Sequence, residues 1–520
     1  MRRLPSFLHV VVIAALLSAG GCASLPANVK RTESHALQGT ETTRLGQIAQ
    51  PMLKAHPGES GFRPLRSGVD ALLARMMLAQ AAERSLDVQY YIWHDDLTGR
   101  FFSDALLLAA DRGVRVRVLL DDVGARADDE VLLALDVHPN IEIRLFNPVA
   151  TRNFRNLGLL SDFSRVNRRM HNKSFIADNQ RAILGGRNIG DEYFEAQSEV
   201  AFGDLDVLTV GKAVNDVSDA FDLYWNAPAS YPISALLGRS GDPAKLDKLR
   251  KQLAEYVDSQ HDNPYVDRAR SQLPGMLATG SDGFYWGKAD LLYDDPAKIT
   301  RAPEDTEGHL LPKFAEFDAP VQHELLIVSP YFVPGDTGVA WLGKLVKRGV
   351  HVTVLTNSLA ATDVGAVHAG YERYRKALLE AGVRLYELKP EAIEHEREKR
   401  GGGITGSRAS LHAKTFIFDR SAVFIGSLNL DPRSIQLNTE IGLVCESAPL
   451  AEALAGAIEQ NLDQIAWRLE LNTDASGNKR IVWVGNGPDG LRRLTEEPEV
   501  STWRKFGVWF LGLLPIESQL

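Results

Sequence analysis

The 520-residue sequence predicts an α/β protein of two homologous halves, each a sheet flanked by helices. Three observations carry this. The pattern H-x-K-x4-D-x6-G-[GS]-x-N occurs as His171, Lys173, Asp178, Gly185, Gly186 and Asn188, and again as His412, Lys414, Asp419, Gly426, Ser427 and Asn429. Glu199 and Glu440 trail the two copies at equal offsets, so seven positions recur 241 residues apart. Strand-helix-strand order precedes each copy, which implies parallel strands covered by helices. Arg112-Gly113-Val114 and Arg144-Leu145-Phe146 reappear 236 and 240 residues on, as Arg348-Gly349-Val350 and Arg384-Leu385-Tyr386. Duplication with small insertions is the simplest account.

In chain order, residues 62–85 have helical spacing, with Leu72, Leu73, Met76, Met77 and Ala79 on one apolar face. Residues 86–93 read as a strand, 98–112 as a helix and 114–120 as a strand. The second half repeats this with strands at 325–328 and 331–333, a helix at 338–348 and a strand at 350–355. Between the halves, 244–273 suggests one or two amphipathic helices and 283–293 a strand. Residues 391–408 are charged and then glycine-rich, which fits a solvated loop or a lid over the site. The expected division is a signal peptide at 1–21, a polar irregular tether at 22–58, a first half at 59–228, an inter-half insertion at 229–320, a second half at 321–475 and a C-terminal extension at 476–520.

Apolar content of 44% and charged content of 24% are those of an ordinary globular chain. The net charge of −9 argues against a nucleic-acid partner, which favours a basic face. Two cysteines give no disulfide framework, and Cys445 reads as a small buried hydrophobe. At the start, Arg2 and Arg3 precede a short apolar run and then Ser18-Ala19-Gly20-Gly21-Cys22. This resembles a bacterial lipobox, implying cleavage before Cys22 and lipid on its sulfur; an uncleaved signal anchor is the alternative. Near the end, Trp503-Arg504-Lys505-Phe506 and residues 508–514 suit an interfacial helix or one docked on the core.

The motif spacing points to covalent catalysis by imidazole. Residues 169–177 read as a strand whose alternation puts His171 and Lys173 on one face and Asp178 at the opposite parity or in the turn. His171, Lys173, His412 and Lys414 are therefore assigned to the reaction, and Asp178 and Asp419 to structure. Gly185, Gly186, Gly426 and Ser427 would let backbone amides or a hydroxyl approach a phosphate, or else form a tight turn. Asn188 and Asn429 would donate to non-bridging oxygens, while Glu199 and Glu440 would fix a histidine tautomer or form surface ion pairs. One histidine attacks phosphorus and the other protonates the departing alcohol. No metal-ligand spacing surrounds the motifs and no cofactor is expected.

These residues resemble the phospholipase D superfamily, whose signature is the duplicated HKD motif. The flanking words at 86–93 (LDVQYYIW), 168–173 (RRMHNK), 185–190 (GGRNIG), 204–207 (DLDV), 359–370 and 427–434 are similar to bacterial cardiolipin synthases of the C type. The resemblance spans about residues 60 to 516. It implies phosphatidyl transfer to phosphatidylglycerol, with phosphatidylethanolamine as donor, at a bacterial membrane. It also implies two sandwiched α/β halves with mixed sheets, related by a pseudo-two-fold and sharing one active site, and favours His171 as nucleophile and His412 as acid/base. Hydrolysis to phosphatidic acid uses the same intermediate and remains an alternative, as does nuclease action on another phosphodiester.

Overall fold

The computed structural model describes residues 24–27, 29–125, 128–152, 155, 162–196, 200–278, 283–318, 320–391, 408–474, 476–487, 490–513 and 517–519. The expected signal peptide, Cys22, Glu199 and most of the 391–408 loop lie outside these residues.

Two sheets repeat one strand order. In the first half, neighbouring strands run Ser60–Leu65, Asp206–Gly211, Arg181–Gly185, Ser174–Ala177, Ser85–Tyr90, Arg115–Asp121, Ile141–Phe146 and Ser230–Pro232. In the second they run Tyr285–Tyr293, Ile441–Glu446, Ala422–Gly426, Lys414–Phe418, Glu324–Val328, His351–Asn357, Arg384–Leu388 and Ala466–Thr473. Three central strands of each sheet are parallel, as the strand-helix-strand reading requires, and the motif strands join them antiparallel. The helices Leu97–Asp111 and Gly335–Lys347 make the matching crossovers.

Ser60–Leu65 also pairs with Tyr285–Tyr293, stitching the two sheets edge to edge. The segment read as an inter-half insertion thus supplies the second half's own edge strand. A buried cluster spans the junction, with Phe62, Leu205 and Val207 against Leu326, Ile417, Ile425 and Leu443. Apolar burial of this kind, roughly 25 cal/mol per Å², holds the halves in fixed register.

Two expectations change. Residues 62–65 are strand, and the helix begins at Gly68, capped by Ser67, whose Oγ accepts from the Asp70 N–H. The stretch read as an irregular tether is largely packed. Arg144 and Arg117 donate to the carbonyls of Thr32 and Ser34, the Ala36 N–H donates to Asp222, and Arg44–Ala55 is a helix. Those partners lie more than 80 residues away in the chain, so local pattern carried no sign of them. Cys445 is fully buried, as expected.

Asp178 and Asp419 occupy equivalent turns with left-handed backbone, φ +52° and +48°. The Asp178 carboxylate accepts from the backbone N–H groups of Glu83, Arg84 and Ser85 at 3.0, 2.7 and 2.9 Å. Asp419 accepts from Gln322, His323 and Glu324 at 2.8, 2.7 and 2.8 Å. Each clamps the start of the neighbouring parallel strand. Asp178→Asn is expected to lower stability by about 2 kcal/mol, since hydrogen bonds to charged groups contribute most. Turnover per folded molecule should hold. A urea titration beside an activity measurement checks this, and a stable but inactive variant contradicts it.

Candidate active site

Each histidine sits just before its strand, not inside it. The strand expected at 169–177 is only Ser174–Ala177, because the preceding residues leave their own sheet to pair with the other half. The Met170 segment bridges Thr439, with the His171 N–H donating to the Thr439 carbonyl and the Thr439 N–H to that of Arg169. Around the pseudo-axis, Arg408–Leu411 pairs in parallel with Val200–Gly203, and the N–H groups of His412 and Ala413 both reach the Gly203 carbonyl. Backbone pairing between halves therefore fixes where both imidazoles stand.

The carboxylates are exchanged the same way. His171 Nδ1 lies 2.8 Å from Glu440 Oε2, and His412 Nδ1 lies 2.6 Å from Asp204 Oδ2. Each histidine is thus oriented by an acid from the opposite half. With Nδ1–H donating to a buried carboxylate, the Nε2 lone pair is left for chemistry. Ser427 and Ser434 donate to Glu440, and the Leu205 N–H donates to Asp204.

Asp204 was not singled out from the sequence as a site residue. Strand register explains why. Gly426 pairs with Gly442 while Gly185 pairs with Asp206, so Asp204 is the counterpart of Glu440. That match is 236 residues, not 241, because the first half carries five extra residues between Asn188 and the carboxylate. Counting a constant offset led instead to Glu199.

Both rings face one cavity of about 810 Å³, whose walls include Asn188, Tyr193, Tyr331, Asn429, Asp431 and Arg433. Tyr91 meets His171 edge-on, and Tyr193 meets His412 likewise, each with ring centroids 5.2 Å apart. Neither Tyr91 nor Tyr193 was identified from the sequence, since nothing local distinguishes them from core aromatics. Asn188 Oδ1 accepts from the Ile92 N–H at 3.1 Å. The lysines are buried, with Lys173 donating to the His171 carbonyl and Lys414 to that of His412.

The glycines and Ser427 do not face the cavity. A Cβ on Gly186 would lie 2.2 Å from the Asp204 carboxylate, and one on Gly185 would strike Asp206. A Cβ on Gly426 would meet the Ile441 carbonyl and Gly442. Ser427 is spent on Glu440 and the Ile441 carbonyl. Gly186 makes room for the Asp204 carboxylate and Ser427 holds that of Glu440, while Gly185 and Gly426 allow close packing against Asp206 and the Ile441 carbonyl; the expected phosphate contact is corrected accordingly.

Burial, reinforced by the neighbouring lysines and only partly offset by the carboxylates, pushes His171 down to about 4 and His412 to about 3. Burial also lowers Lys414 to about 8 and Lys173 well below its usual range. Despite burial, Glu440 stays ionised beside His171 and Lys173, as does Asp204 beside His412, Lys414 and Arg187. Without a bound anion, these shifts favour neutral imidazoles on ionised carboxylates near neutral pH. An oxyanion at either Nε2 favours imidazolium, so binding should raise a ring's pKa toward the ordinary value. Tungstate at a pH between the two, near 5.5, is expected to drive proton uptake and convert one ring to imidazolium in ¹⁵N-histidine spectra. Rings already charged without ligand at that pH contradict this.

His94, Asp96 and Glu192 form a small acidic group elsewhere, with Asp96 already accepting from the N–H groups of Gly99 and Asp191.

A duplicated α/β fold with a histidine pair at its pseudo-axis and opposed carboxylates defines a phosphodiester-exchanging class of enzyme. The model of the family "Cardiolipin synthase, PLD-like domain" matches residues 75–225 and 320–464, the two repeated halves, and this chain belongs to that family. It is 45% identical over 485 residues to cardiolipin synthase C of Escherichia coli (strain K12), covering 91% of this chain and 99% of that one. It is 27% identical over 412 residues to cardiolipin synthase A of Pseudomonas entomophila (strain L48), covering 78% and 67%. Among solved structures, the phosphatidylserine synthase of Haemophilus influenzae Rd KW20 superposes with a TM-score of 0.54 at 15% identity, covering 91% and 100%; it shares the fold.

Proposed function

We propose that this protein is a membrane-associated phosphatidyltransferase that makes cardiolipin through a phosphohistidine intermediate. One observation carries the reading: two imidazoles, each anchored through Nδ1 by a buried acid of the opposite half, open on a single cavity. The similarity to cardiolipin synthase C supports lipid phosphodiesters as the substrate class.

Binding of the anionic phosphodiester favours imidazolium, so His412 Nε2 takes up a proton from solvent. In the first step His171 Nε2 forms a bond to phosphorus as the bond to the departing alcohol breaks, and His412 gives that Nε2 proton to the alcohol oxygen. In the second, His412 takes the proton of an incoming hydroxyl, which displaces the histidine. Lys173, Lys414, Asn188 and Asn429 stabilise the charge on the phosphoryl oxygens, and such preorganised donors contribute roughly 3 to 4 kcal/mol each. Phosphatidylglycerol is the proposed acceptor and phosphatidylethanolamine a candidate donor. Lipid attachment at Cys22, facing the periplasm, is part of the same reading; palmitate labelling lost in Cys22→Ala would support it.

The deciding experiment incubates purified protein with vesicles of phosphatidylglycerol and phosphatidylethanolamine and identifies products by mass spectrometry. Cardiolipin is expected. Phosphatidic acid alone would establish hydrolysis in its place, and cleavage of DNA but no lipid would make the chain a nuclease.

A further inference from the structure

Exposed apolar side chains are concentrated on the C-terminal helix and on the cavity wall. Of the twelve large hydrophobic residues exposed among the described residues, five lie on or directly after the C-terminal helix Thr502–Gly512: Trp503, Phe506, Trp509, Phe510 and Leu513. Two more, Phe163 and Val364, line the cavity itself. Trp503 is 83% exposed and Leu513 63%, values foreign to a helix buried on its own core.

The helix is held from its other side. Val508 packs on Leu359 and Ala369, and Arg504 donates to the Thr362 carbonyl at 2.6 Å. The segment it grips continues into Gly365–Glu372, where Val367 joins Val364 in the cavity wall. So the helix is anchored on the same segment, 359–372, whose Asp363, Val364 and Val367 line the cavity.

We infer that this face docks on a phospholipid bilayer and brings the cavity mouth to the membrane surface. The inference rests on the transferase reading and adds where the lipid enters. A cavity of about 810 Å³ takes headgroups, but not two diacyl phospholipids with their chains. Drawing chains out of the bilayer into water costs about 0.8 kcal/mol per CH₂, so they must stay in the membrane while the phosphate reaches the histidines. Arg504 is turned to the Thr362 carbonyl and Lys505 pairs with Glu496 at 3.1 Å, so the exposed face of the helix is itself apolar and aromatic. Trp and Phe on one face beside basic residues suit the headgroup level, and eleven residues lie along a bilayer without crossing it.

The test uses the full chain and vesicles of phosphatidylethanolamine and phosphatidylglycerol containing brominated lipid, which quenches nearby tryptophan. Quenching is expected in the natural sequence and should fall sharply in Trp503→Phe/Trp509→Phe. In parallel, Trp503→Ser/Phe506→Ser/Trp509→Ser/Phe510→Ser should lose about tenfold or more of its activity on vesicles. It should keep its activity on dihexanoyl phospholipids below their critical micelle concentration. Undiminished vesicle activity, or equal loss on both substrates, overturns the inference. So does a concentration-dependent dimer that this variant abolishes while brominated lipid quenches nothing, which would assign the face to a second copy. If the natural sequence turns over neither substrate form, the transferase reading fails, and the quenching comparison still decides the docking face.

Discussion

His171→Ala and His412→Ala are each expected to cut turnover by on the order of 10⁴-fold or more, and the double variant should be little worse than either single one. The reason is geometric. Both rings open on one cavity, so each step uses both and neither can substitute for the other. Groups that act as a unit show this non-additivity, because losing one leaves the rest without a task. Stability should change little in comparison, since removing a ring leaves Glu440 with Ser427 and Ser434, and Asp204 with the Leu205 amide. The measurement is cardiolipin and phosphatidic acid formation per folded molecule. Multiplicative losses would mean the rings serve separate sites, and the proposed mechanism would fall with them.

The second large effect is expected at the exchanged acids. Asp204→Asn and Glu440→Gln should each lower turnover by on the order of 10³- to 10⁴-fold, as happens when the acid orienting a catalytic imidazole becomes an amide. An amide can donate where the carboxylate only accepts, so the ring is free to present the wrong nitrogen. Glu199→Gln, by contrast, should cost far less than Asp204→Asn. That comparison separates strand register from sequence counting as the guide to function. A Glu199→Gln loss equal to that of Asp204→Asn would refute the assignment. Because both acids are fully buried, each variant needs a thermal melt beside its kinetics.

Much of this was legible one residue at a time. The repeated histidine and lysine positions suggested the chemistry proposed here, since two such sets in register have few uses besides phosphodiester exchange. Val116 and Val118, like Val352 and Val354, mark buried parallel strands by composition and turn spacing alone. Asp178 and Asp419 were expected at the opposite parity or in the following turn; they lie in the turn and hold strand termini by backbone amides. Reading fails where the chain departs from local rules. His171 and His412 lie outside regular strands because their segments hydrogen-bond to the other half, a pairing between residues over 200 positions apart. Gly186 looked like a phosphate loop, since a missing side chain says that something comes close but not what; here it is the Asp204 carboxylate.

The sequence by itself determined the duplicated α/β architecture, the histidine and lysine pairs and the aromatic character of the last helix. These follow from composition and periodicity, which act over a few residues. Only the tertiary structure decided that each histidine takes its acid from the opposite half, that Asp204 is one of those acids, and that residues 31–55 pack on the first half. It also packed the C-terminal helix on the segment that carries Val364 and Val367 of the cavity wall. All of these depend on which distant segments share a hydrogen bond or a buried face, and that is settled by closing the two sheets against each other, not by any local run of residues.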